Sequence, residues 1–191
     1  LLVKVRDYHG HRLTWYALQL QLLTFVRPGE LRSARWEEMD FGEEIWRIPG
    51  ERMKMGIEHV VPLSWQAIAL LKEIQQVSGQ HELVFPGERK RTTPMSENTI
   101  LYALYRMGFK GKATGHGIRA TASSILNEQG FNHDAVERQL AHIERNQVRG
   151  AYTHHAEYLT ERKRMMQWWA DYLDSLDSGN NVIPTNFSRG A

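Results

Sequence analysis

Apolar residues recur at helical spacing along most of the chain and form only two short extended stretches. This pattern predicts a mainly α fold with a small antiparallel β-sheet. Between residues 11 and 25, Leu13, Ala17, Leu20 and Leu23 mark one face and Leu18, Leu22 and Phe25 another, so this helix is predicted to be buried on most sides. Pro28 suits the first turn of a short second helix over residues 28–34, and it disfavours helical geometry at Arg27, which is thereby placed at a helix mouth. Residues 44–48 and 59–63 read as two strands joined by a charged loop at 49–58. Ser64 is a capping residue for a helix with Ala67, Leu70, Leu71, Ile74 and Val77 on one face, ending near Gly79. Further helices are predicted over residues 96–107, 116–129, 134–140 and 157–176, with Gly130 as a stop.

The chain has 191 residues, 41% hydrophobic and 24% charged, enough for one domain with a real core. That domain is expected over residues 1–176, with residues 177–191 as a loose polar tail. Lys and Arg number 24 against 22 Asp and Glu, a net charge of only +2, so any surface that meets nucleic acid must be local. Arg89-Lys90-Arg91 and Lys110-Gly111-Lys112 are candidate phosphate contacts. The absence of Cys removes disulfides, thiolate zinc sites and cysteine nucleophiles, and fits a reducing compartment. The nine His lack metal-ligand spacing, so no metal or other cofactor is expected. No apolar run reaches the roughly 18 residues a membrane span needs, and a cytoplasmic protein is expected. The first residue is Leu1, which suggests a fragment whose upstream part is absent.

Candidate chemistry gathers at five places. In Gly115-His116-Gly117-Ile118-Arg119, the spacing of three puts His116 and Arg119 on one polar stripe, and Thr114 as a cap puts both in a first helical turn that favours an anion. An isolated pair of this kind is more often solvated than functional. Arg27 is either an ion-pair partner of Glu30, an anion ligand, or both. Lys54, with Arg52 as its rival, lies in the hairpin loop, His142 follows Leu140-Ala141, and Tyr152 comes ten residues later.

In this order, Arg27 in RPGEL, Lys54, His116 and Arg119 in HGIRAT, His142 in LAH and Tyr152 resemble the catalytic domain of a tyrosine recombinase. TFVRPGELR, HGIRATASSILNEQGF, LAHIERN and EYLTERKRMMQWWADYL narrow the resemblance to integrases of temperate phages and genomic islands. The resemblance implies site-specific recombination of double-stranded DNA through a 3′-phosphotyrosine, with Tyr152 as nucleophile. Arg27 and Arg119 would hold the non-bridging oxygens, Lys54 would protonate the leaving 5′ oxygen, His116 would handle the tyrosine proton, and His142 would bond the phosphate. It further implies an upstream DNA-binding domain, a homotetramer on DNA from monomers in solution, an accessory DNA-bending protein, and a place on the bacterial nucleoid. A type IB topoisomerase and a non-catalytic DNA-binding module on the same fold are the alternatives. Tyr158, six residues beyond Tyr152, reads as a packing residue.

The last helix carries Met166, Trp169, Leu173 and Leu176 on one stripe, widened by Met165, Trp168 and Tyr172. Either this arc closes the domain's own core, or it docks on a neighbouring protomer. On the second reading, removing residues from 165 onward should harm assembly more than folding.

Overall fold

The computed structural model describes residues 1–142 and 158–179. Among these residues the chain forms α1 (Leu2–Arg6), α2 (Arg12–Thr24), α3 (Pro28–Arg32), β1 (Met39–Asp40), β2 (Ile45–Ile48), β3 (His59–Pro62), α4 (Trp65–Ser78), α5 (Thr99–Arg106), α6 (Gly115–Glu128), α7 (His133–Gln139) and α8 (Leu159–Asp177). The fold is mainly α with a three-stranded antiparallel sheet, as the periodicity predicts. The helix α1 and the two-residue strand β1 are additions that are too short to show as a pattern.

α2 forms the centre. Leu13, Tyr16, Ala17, Leu18 and Leu20 are at most 4% exposed, so apolar side chains on several sides of this helix are enclosed by α1, α4, α5 and α8. The chain leaves α2 through Phe25 in the left-handed region, with φ 37°, and its N–H closes the helix on the Gln21 carbonyl. Pro28 opens α3 as expected. The helix α4 is capped by Ser64, whose hydroxyl accepts from the Ala67 N–H at 3.3 Å.

In the sheet, Ile45 pairs with Pro62 and Ile48 with His59, and β1 joins the outer side of β2. The four residues of β3 are all buried, so this strand lacks the alternation of a half-exposed one. One end of the hairpin loop is pinned by Arg52, whose guanidinium donates to the Ser33 carbonyl and, at 2.7 Å, to the buried Glu38 carboxylate. Glu38 also accepts from the Trp46 indole at 2.9 Å.

α8 lies in the core of its own domain. Met165, Met166, Trp168, Trp169, Ala170 and Leu173 are all buried, and the Trp169 indole donates to the Leu22 carbonyl at 2.8 Å. Trp169 meets Phe25 edge-on, and Trp168 meets Phe131 in the same way. Most of the wide apolar arc is therefore covered by the chain itself, which supports the first of the two readings, that the arc closes the domain's own core; Tyr172 is half-buried and Leu176, 47% exposed, lies at the surface end. The helix runs through Asp177, the first residue expected in the tail, and residues 180–191 lie outside the described residues. Most Trp and Met are core, as read from their spacing, but Trp65 and Met55 are exposed. Among the described residues no helix is long and apolar enough to cross a membrane.

Candidate active site

The site is built where three turns of backbone converge. The first is the α2–α3 corner. Glu30 caps α3 from within: its carboxylate accepts from the Arg27 N–H at 2.8 Å and from Arg27 Nη1 at 2.7 Å. Arg27 is thus fixed as both an ion-pair partner and a presented cation, with 29% of its side chain exposed. The second is the start of α6. Thr114 caps it, accepting from the Gly117 N–H at 3.0 Å, and a Cβ on Gly115 would stand 2.6 Å from the Pro28 ring, so glycine is what lets α6 abut α3.

The third turn is the C-terminus of α7. The Ala141 N–H returns to the Arg138 carbonyl and the His142 N–H to the Glu137 carbonyl, with Ala141 left-handed at φ 50°. This is a Schellman closure with alanine where glycine is usual. It brings His142 back over the last turn, where Nδ1 lies 2.8 Å from the Glu137 carboxylate. With that carboxylate accepting from Nδ1–H, the other ring nitrogen is left for a ligand.

The first and third of these turns and the hairpin enclose one cleft, lined by Arg27, Met53, Lys54, Met55, Ile57, Glu58, His59, Arg138, Ala141 and His142. Three of the six candidate residues, Arg27, Lys54 and His142, therefore share a wall. Arg52, the rival of Lys54, is held inward by Ser33 and Glu38, whereas Lys54 is exposed and has no polar partner among the described residues.

Arg119 stands behind the cleft and not on a polar stripe with His116. It is 7% exposed, and its guanidinium donates to the Phe25 carbonyl and, at 2.7 Å, to the Leu140 carbonyl. Two carbonyls left free by chain turns supply the polar partners that allow this burial, which the local pattern around Arg119 does not contain. Burial pulls the guanidinium down to about 10, Arg27 adds to that and Glu30 opposes it, so Arg119 stays a cation at neutral pH. His116 is exposed on the first turn of α6 and is not on the lining of the cleft. Tyr152 lies outside the described residues, as do His154 and His155. Tyr158 is half-buried, with its hydroxyl 3.4 Å from the Asp134 carboxylate.

Two lining residues, His59 and Arg138, carry no signal in the residue pattern. His59 begins a strand that is buried throughout, so no alternation marks it. Burial pushes its imidazole well below the ordinary value, and Arg162, Arg119, Arg138 and Arg27 push the same way, so it is neutral at physiological pH. Among the described residues no group of three or more His, Asp or Glu could hold a metal ion. The cleft is a cationic one, with guanidinium forks held by protein acceptors and an exposed lysine ammonium, and it suits a phosphodiester anion.

A profile of the phage integrase family matches residues 4–158. The chain belongs to this family. It is 50% identical over 188 residues to the integrase of Enterobacteria phage P4, covering 91% of this chain and 43% of that protein. This integrase-family chain thus spans less than half the length of that relative. Its fold is shared with the catalytic core of lambda integrase, at a TM-score of 0.57 and 17% identity over 76% of this chain and 90% of the core. It is shared too with lambda integrase in a tetramer bound to a Holliday junction, at a TM-score of 0.58 and 17% identity, covering 76% of this chain and 46% of that one.

Proposed function

We propose that this chain is the catalytic part of a tyrosine recombinase that integrates or excises a prophage or genomic island at specific DNA sites. The observation that carries the reading is the single cleft in which Arg27, Lys54 and His142 face one space with Arg119 behind it. Each guanidinium has five N–H donors and spends two of its nitrogens on fixed protein partners, leaving donors for non-bridging phosphate oxygens.

In the proposed step the Tyr152 hydroxyl oxygen attacks phosphorus and the bond to the 5′ oxygen breaks. The leaving oxygen takes a proton from Lys54, and the tyrosine proton passes to His116 or to solvent. The products are a 3′-phosphotyrosine and a free 5′-hydroxyl, and attack by a second 5′-hydroxyl reverses the step on another strand. Arg27, Arg119 and His142 stabilise the charge on the pentacovalent phosphorus. The bond energy stays in the covalent link, so no nucleotide cofactor is needed. We place the working assembly as a homotetramer on two DNA sites, formed from monomers, with an upstream DNA-binding domain and an accessory DNA-bending protein, in the cytoplasm at the nucleoid.

A nicked suicide duplex tests this. The protein should form a covalent DNA adduct in excess EDTA, and Tyr152→Phe should remove it. An adduct that needs added magnesium, or that persists in Tyr152→Phe, would overturn the mechanism. Relaxation of supercoils without strand exchange would instead favour a topoisomerase, and DNA binding without any adduct a non-catalytic module.

Affinity supplies a second test. With a net charge of +2, residues 1–191 alone should bind duplex DNA weakly and lose affinity steeply between 50 and 200 mM salt, on the order of 10³-fold for about six phosphate contacts. Filter binding that shows nanomolar, sequence-selective affinity at physiological salt would contradict this.

A further inference from the structure

Arg162 lies in the first turn of α8 and is 2% exposed. Its guanidinium donates to Gln139 Oε1 from Nε at 3.1 Å and from Nη2 at 2.6 Å, and Nη2 also reaches the Val60 carbonyl. Gln139 is fully buried, and its Nε2 lies 3.5 Å from the Thr24 carbonyl. One side chain therefore joins the start of α8 to β3 and to the end of α7, which in turn meets the end of α2.

The end of α7 is held in an unusual way. Residues 139, 140 and 141 are each gripped by a different arginine: the Gln139 side chain by Arg162, the Leu140 carbonyl by Arg119 and the Ala141 carbonyl by Arg27. Arg119 and Arg27 belong to the cleft, whereas Arg162 does not line it. We propose that Arg162 is a positioning residue for the phosphate clamp, fixing Gln139 so that the next two carbonyls hold the Arg119 and Arg27 guanidiniums at the angle a phosphate requires. The inference rests on the recombinase reading and adds a residue that never touches DNA.

Arg162 has no carboxylate partner among the described residues, and burial pulls its guanidinium down to about 9, with Arg138 adding to the effect. An apolar side chain of similar length would avoid the cost of burying the charge but would leave Gln139 Oε1 and the Val60 carbonyl without this donor. Met165 and Met166 show that α8 buries methionine at neighbouring positions. What an apolar residue could not supply is the link to Gln139 and Val60.

The test compares Arg162→Met alone and on an Arg119→Lys background, by thermal melting, duplex affinity and the rate of adduct formation. Arg162→Met removes the donor of Gln139 Oε1 and of the Val60 carbonyl, so it should melt cooperatively but below the unsubstituted protein. It should bind duplex within about threefold, yet form adduct roughly 30- to 100-fold more slowly, the scale of a small misplacement of catalytic groups. On the Arg119→Lys background the same change should cost clearly less, no more than about tenfold, because one of the two forks it orients is already gone. Losses that multiply in full, or an Arg162→Met rate within about threefold of the unsubstituted protein, would overturn the proposal. If Arg162→Met fails to melt cooperatively, Arg162→Lys is measured in the same cycle. Its ammonium keeps the charge but loses the second bond, from Nε, that fixes Gln139 Oε1 in the plane of the guanidinium, so the same shortfall from multiplication is expected and full multiplication again overturns the proposal. Failure of the unsubstituted protein to form a Tyr152-dependent adduct would instead overturn the recombinase reading, a result distinct from either.

Discussion

Arg119→Lys should lower the rate of adduct formation at least about 100-fold while reducing duplex affinity far less, and Arg27→Lys should do the same. The reasoning is geometric. The Arg119 guanidinium bridges two carbonyls, those of Phe25 and Leu140, and still has donors to spare, because five N–H groups lie in one rigid plane. A lysine ammonium keeps the charge but is a single point on a flexible stem. It cannot hold both carbonyls and also present a fork to the cleft. Arg27 faces the same demand, since it must satisfy Glu30 and the Ala141 carbonyl before it can bind anything else. An interaction made chiefly with the charge that develops at phosphorus lowers the rate of the chemical step when lost, whereas a phosphate anchor lowers binding and rate together. Single-turnover cleavage and binding titration on the same duplex separate the two, and equal losses in both would mark these arginines as anchors. Arg119→Lys should also leave a buried carbonyl without its donor, a cost of about 1–3 kcal/mol that a melting curve would show.

What the sequence makes legible, and what it does not, follows the range of the interactions concerned. Caps at Ser64 and Thr114, the Pro28 start and the hairpin are written in neighbouring residues, and the structure has each of them. Glu30 as partner of Arg27 is equally local, three residues along one turn. The burial of Arg119 is not local: its partners are 94 and 21 residues away, and the carbonyls exist as free acceptors only because α2 and α7 end where they do. The polar stripe shared with His116 is therefore a misreading of a correct helix. His59 escapes notice because a strand buried along its whole length shows no alternation. Arg162 did leave a signal. It lies four residues before Met166 and seven before Trp169, on the same stripe, so extending that apolar face one turn back reaches a charged residue that must be buried.

Deleting the chain from Met165 onward should abolish cooperative folding and not merely assembly. The deletion removes Met165, Met166, Trp168, Trp169, Ala170 and Leu173, all buried, from the centre of the domain. Losing a single buried Trp or Met side chain costs about 2–5 kcal/mol, so four such residues together cost about 8–20 kcal/mol, as much as or more than the roughly 5–15 kcal/mol by which domains are stable. The Leu22 carbonyl would lose its indole donor, and Phe25 would lose the ring it packs against edge-on, at the corner that presents Arg27. The site would then fail with the fold, and circular dichroism and thermal melting of the truncated chain should show no native transition. A truncated chain that melts cooperatively near the temperature of the intact one would refute this and restore the view that α8 serves a neighbouring protomer. A lighter change separates assembly from folding. Leu176, at the exposed end of the same helix, touches solvent over 47% of its surface, so Leu176→Ser should alter stability by no more than about 0.5 kcal/mol. If that variant folds normally but fails to assemble on DNA, contact between protomers is confined to the tip of α8, beyond the residues that build the core.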